Sequence, residues 1–427
     1  MRQTIPFALL VVLAAGAAPA RPFNDVKDGS WTNRATWDEK VKYYPAQGGD
    51  VATLDSHSVY LDGNVAPHVR VVLAGGTLLK GGPGHCGFSI KGPIVVTRPS
   101  VVGNPQRYNR GRRPLNLTGR ISGPHRLTKT GRGIVVLSYG NTSFTGGWDV
   151  KDGILNAAGD GGLGRGAVTV HPGAALWVRK SNVVQSAGRA PKQIIIKDAT
   201  LCINGGYGHA SVAGWKIILD GGTLLMQPSG SNGRSVHVRS GEVQVKRDAT
   251  LRGHYAQASD STFAAALTGA GALTLYGFTG PGRLKLSGDG SKFSGPVCIA
   301  GGRITVTRPA GLGSGDITVK AGATLELTAS GITHHNARLH LAAGRTGENG
   351  VVELGPRTVN TVGAVRLVGA DGLGVWLRAG EYTAADLPGH LVGPGALRVL
   401  TESQPVPEPI GLGWGLLLAL LVRRRRR

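Results

Sequence analysis

Acidic residues are scarce: 25 Asp and Glu stand against 48 Lys and Arg in 427 residues. That deficit counts against chemistry built on clustered carboxylates, such as glycoside hydrolysis by paired acids. Asp25 with Asp28, and Asp149 with Asp152, are lone pairs, Asp371 and Glu381 are isolated, and no acidic cluster recurs at a regular spacing. Such acids suit turns, where Asp bonds its own backbone. Cysteine is rarer still. Cys86, Cys202 and Cys298 lie far apart, with no Cys-x-x-Cys or Cys/His spacing, which excludes a zinc ribbon. They read as small core residues, and whether any two form a disulfide stays open. His334, His335 and His340 are the best metal candidate but lack a nearby carboxylate, and a solvated loop is the simpler reading; His85 beside Cys86 is weaker. No cofactor is expected: Gly-x-Ser-x-Gly, the P-loop and the dinucleotide fingerprint are all absent. Helical periodicity is missing outside the two termini, which argues against bundles and α/β folds.

Glycine is abundant, at 69 residues spread along the chain. Beside many Val, Leu, Ile and Thr, it suits short strands joined by sharp turns. One unit occurs twice. Gly131 to Leu176 aligns without a gap on Gly280 to Leu325, with 16 identities in 46 positions. Both copies end in an alternating strand, a glycine turn and a second strand (Val168, Val170, Gly173, Leu176; Ile317, Val319, Gly322, Leu325). Further strand pairs occur at Ala74 to Leu79, Ile194 to Ile203, Asp220 to Leu225 and Val236 to Leu251. None is large enough to bury its own apolar side, so stacking into coils of roughly 20–25 residues is expected. Trp31 and Trp37 suit a cap over the first coil, or a platform for a sugar ring.

The expected fold is therefore all-β, a parallel β-solenoid. Its parts are an N-terminal cap and first coils over 21–126, repeat coils over 127–400 with clear units at 127–176 and 271–325, and a linker at 401–405. Residues 1–20 have a positive start, an apolar stretch and Ala18-Pro-Ala20, the layout of a cleaved secretory signal helix. Residues 406–427 combine Pro407-Glu408-Pro409, an apolar helix of 13 residues and Arg423, Arg424, Arg425, Arg426 and Arg427. That helix is short for a bilayer, and the arginines would stay on the cytoplasmic side.

Two family resemblances carry implications. The tail resembles the PEP-CTERM sorting signal, which implies Sec export, transient membrane insertion, cutting by an exosortase-type enzyme near Pro407-Glu408-Pro409, and delivery to the cell surface or matrix. Leu127-x-Lys129-x-Gly131-x-Gly133, Leu137-Ser138, Asn141, Phe144 and Gly146-Gly147 resemble the autotransporter-associated β-strand repeat, also called the passenger-associated transport repeat. That resemblance implies coils of a right-handed parallel β-helix on an exported protein. An autotransporter passenger is disfavoured, because the stretch after Val399 is too short for a translocation barrel.

The formal charge is +23, or +17 without Arg2 and the five terminal arginines. Such a surface attracts polyanions. Arg107, Arg110, Arg112 and Arg113 form the densest basic run of the body and suit phosphate, sulfate or uronate groups. The function expected is a non-enzymatic structural or adhesive protein that binds acidic exopolysaccharide, with no specific nucleic-acid partner. A polysaccharide lyase or hydrolase on the same fold is the alternative.

Overall fold

The computed structural model describes residues 21–400, except 39–43, 48, 83–86, 107–112, 160, 180–191, 206–209, 228–234, 255–259, 279–281 and 345–347. Within them the chain is all-β, apart from a single 3-10 turn at Arg34–Thr36. Pairing between strands is parallel except near the C-terminal end, with isolated antiparallel bridges at Asp25–Trp37 and Lys197–Gly221, and it links strands one coil apart: Leu127 to Trp148, Trp148 to Val168, and Val168 to Ile194. A parallel pair needs a long crossover. Here the other two sides of the coil supply it.

Each coil has three sides. Ile94–Val96, Ser100–Gly103 and Leu115–Leu117 follow one another on the first, second and third faces. Ile121–Ser122, Leu127–Thr130 and Ile134–Leu137 then pair with them one coil on. The second face is one sheet of 12 strands, from Gly29–Ser30 to Lys292–Phe293. The first face passes from strand to loop and back. Phe144 bridges Gly123, then Arg165 N–H donates to the Phe144 carbonyl and Lys192 N–H to the Arg165 carbonyl. Strands resume there at Ala210–Val212.

The core is the inside of this prism. Side chains alternate in and out along each strand, and the inward ones stack in columns. Val168, Ile194, Ile217, Val243 and Leu267 pair in succession on the second face, none more than 3% exposed. Each such aliphatic contributes about 1.5–3 kcal/mol through burial. Trp31 and Trp37 close the N-terminal end, 1% and 0% exposed, edge to face at 5.1 Å. The Trp37 indole donates to the Trp31 carbonyl at 2.9 Å, and the Trp31 indole to the Pro45 carbonyl at 3.2 Å. They are a cap. Their burial removes the sugar-platform alternative.

The duplicated unit turns by one face between its copies. Trp148 lies on the second face and its counterpart Val297 on the third; Ile154 lies on the third and Arg303 on the first. What repeats is a strand–turn–strand segment, free to occupy any two adjacent sides. Its shared residues are architectural: Phe144 and Phe293, and Leu163 and Leu312, are all fully buried. Cys202 and Cys298 are free thiols, and burial pushes the Cys202 thiol up to about 12. The signal segment 1–20, the tail 401–427, Cys86, Arg107, Arg110 and Arg112 lie outside the described residues. No helix among the described residues is long and apolar enough to cross a membrane.

Candidate functional site

Asp25 and Asp28 serve turns. Asp25 accepts the N–H groups of Asp55 and His57 at 2.9 and 3.0 Å, and Asp28 accepts that of Ser58 at 2.6 Å. Asp152 likewise accepts Gly153 N–H at 2.7 Å, and Asp371 that of Leu373 at 3.0 Å. Glu381 pairs with Arg398 at 3.2 Å.

Asp149 belongs to a cluster on the second face. Its Oδ1 lies 2.5 Å from His171 Nε2 and its Oδ2 3.0 Å from Lys151 Nζ, which is itself 3.1 Å from the same ring nitrogen. An Asp–His pair can orient an imidazole as a base. Here Asp149 and Lys151 both converge on one nitrogen, and no serine or cysteine bonds His171 among the described residues. Burial opposes ionisation of Asp149, but the bonds from Lys151 and His171 hold its carboxyl below the usual range.

One pair of acids does meet across coils. Lys285, Thr305, Glu326 and Glu353 pair in succession on the first face, so two glutamates stand on adjacent coils. Like charges directly opposite repel. Arg303 resolves this by reaching Glu326 at 3.2 Å and Glu353 as well, while Arg283 lies 3.3 Å from Glu326 and Thr305 donates at 2.6 Å. Burial again opposes ionisation, and these partners still hold Glu326 low. At a corner between the second and third faces, Arg247 bridges Asp198 and Asp220 beside a shallow recess lined by Lys246, Asp248 and Gly271. The Arg247 bond holds Asp220 low. A glycosidase general acid needs a raised carboxyl. Every described carboxyl with a clear shift moves down: Asp149, Asp220, Asp260, Asp289 and Glu326.

The histidines separate. His334 and His335 stack at 4.3 Å in a turn, whereas His340 is on the third face beside Trp376 at 5.7 Å. No group of three metal-ligating side chains occurs among the described residues. Arg113, the one described member of its basic run, is exposed just before Leu115–Leu117.

Lys129 was hidden from sequence reasoning, which treats lysine as a surface residue. It occupies an inward column between Val102 and Val150 and is fully buried. Its ammonium donates to the carbonyls of Thr130 (3.1 Å), Gly131 and Asp152 (2.7 Å) at a coil corner. Burial pushes it down from 10.5 to about 7, with the Asp152 charge opposing. Between those values the unfolded chain binds the extra proton, so stability rises with pH. Wild type should gain about 2 kcal/mol over Lys129→Met between pH 7 and pH 9. Denaturant unfolding of both proteins across that range checks this, and a flat difference refutes it.

Residues 127–157 and 278–306 match the passenger-associated-transport-repeat family. Both segments lie in the duplicated units, one over each copy. No curated protein and no solved structure matches the chain. A passenger-associated repeat within a β-solenoid fits an exported, surface-associated protein.

Proposed function

We propose that this chain is a structural or adhesive element of the cell surface or extracellular matrix, a right-handed solenoid without enzymatic activity that holds acidic exopolysaccharide. The single observation that carries this is a β-solenoid bearing passenger repeats in a chain with 48 Lys and Arg against 25 Asp and Glu. The surplus of cations supplies the attraction to a polyanion. Right-handed coiling is what parallel crossovers favour. Secretion through a signal ending at Ala18-Pro-Ala20, transient anchoring in the inner membrane, and release by an exosortase-type enzyme at Pro407-Glu408-Pro409 complete the proposal.

Binding of purified protein to an acidic polysaccharide across a salt series is the test. Affinity should fall steeply as salt rises, because exposed charges are screened. Absence of salt-sensitive binding removes the polysaccharide partner and leaves the scaffold role standing. Turnover of that polysaccharide would instead favour the lyase or hydrolase reading.

A further inference from the structure

The third face differs from the other two in charge. Its strands, from Phe88–Ile90 through Thr200–Asn204 and Leu273–Tyr276 to Ala364–Val368, contain no Asp or Glu. Acids project instead from the second face (Asp149, Asp220, Glu242) and the first (Glu326, Glu353). Three arginines of the third face lie over aromatic rings of that face: Arg179 on Trp177 at 5.0 Å, Arg252 on Tyr276 at 5.6 Å and Arg366 on Trp376 at 5.9 Å. None of the three has a carboxylate partner among the described residues, whereas Arg247, Arg283 and Arg303 on the other sides all do.

Register turns these residues into a strip. Trp177, Cys202, Leu225, Arg252 and Tyr276 pair in succession as one column; Cys202 within it is covered, 2% exposed with its thiol donating to Gln227 at 3.4 Å, so the accessible parts of the column lie to either side of that coil. Two residues back on each strand, Thr200, Thr223, Thr250 and Thr274 form a second column, continued by Cys298 and Thr318. Steps between coils are about 4.8 Å, so Trp177 and Tyr276 are roughly 19 Å apart, with a hydroxyl at nearly every step between them. Sugar rings stack on aromatic faces, threonine hydroxyls both donate and accept, and a guanidinium takes a carboxylate through two parallel bonds.

We propose that this strip, from Trp177 and Arg179 to Arg252 and Tyr276, binds a linear uronate polysaccharide laid along the solenoid axis. The assignment rests on the reading that the protein holds an acidic polysaccharide, and it adds where. The test is titration of the purified protein with alginate oligosaccharides at low salt, with neutral dextran oligosaccharides alongside. Arg179→Gln/Arg252→Gln should weaken alginate binding about tenfold or more. Tyr276→Ala, which changes no charge, should weaken it several-fold. Lys216→Gln/Lys292→Gln removes the same charge from exposed sites on the second face and should change it less than about twofold. All four side chains and Tyr276 are exposed, so folding should be unaffected, which a thermal melt verifies. Equal weakening by both charge pairs, or a Tyr276→Ala protein that binds like wild type, overturns the strip and leaves diffuse attraction. Failure of the wild type to bind alginate, or equal binding of neutral dextran, overturns the uronate reading itself.

Discussion

Trp37→Ala is expected to lower stability by about 3–5 kcal/mol, the cost of truncating a fully buried aromatic. Trp37 is 0% exposed, and its ring meets Phe23 at 6.4 Å and Trp31 at 5.1 Å, both edge to face. Its indole N–H is spent on the Trp31 carbonyl. A second consequence follows from its position. The cap covers the first coil, and a solenoid end is a row of strand edges that pairs with other chains when exposed. The variant should therefore self-associate more than wild type at the same concentration. Denaturant unfolding gives the first quantity and light scattering at matched concentration the second. A fully soluble variant within 1 kcal/mol of wild type, on the scale of an ordinary surface substitution, would show that the cap sits elsewhere.

Gly315→Ala should be the second large effect, and it separates two reasons for a glycine. A methyl group on Gly315 would lie 2.0 Å from the Gly295 carbonyl oxygen, and one on Gly295 would lie 2.0 Å from that of Gly271. Backbone on adjacent coils cannot yield locally, so the coils must part; overpacking of this kind costs about 1–3 kcal/mol or more. Gly173 is the contrast. Its φ is +80°, yet a methyl there meets nothing within 4 Å. Gly173→Ala should cost only the left-handed conformation, about 1–2 kcal/mol. Gly315→Ala should be the worse of the two in side-by-side urea melts. Equal losses would mean that the close coil approach at Gly315 is no more costly than the left-handed turn at Gly173.

Most of the architecture was legible in the sequence because it is local. Alternation in Val168–Val170 and Ile317–Val319, the glycine turns and the Trp31–Trp37 pair declare short strands, corners and a cap. Asp152 bonds the next residue's N–H in its own turn, as its setting implied, whereas Asp25 and Asp28 reach backbone N–H groups about 30 residues on, in the adjacent coil. What was not legible depends on register. Glu326 and Glu353 are neighbours across 27 residues because the segment between Arg338–Ala342 and Val351–Leu354 lengthens that coil. Lys129 looks like any polar residue until its column is known. Thr200, Thr223 and Thr250 each precede a leucine, and that recurring Thr-Leu step is a signal in the sequence of their alignment in one column. Trp177 and Tyr276 are 99 positions apart, and only the stacking of five coils puts them on one strip. Arg107, Arg110, Arg112 and Arg113 stand out in the sequence as the densest basic run, whereas the cations of the third face are scattered singly along the chain.

The claim that this solenoid is an exported, processed surface protein is tested most directly by mass spectrometry of the chain washed from intact cells. The expected species begins at Arg21 and ends near Pro407-Glu408-Pro409, without Arg423 to Arg427. A chain running from Met1 to Arg427 and found only inside the cell would contradict it.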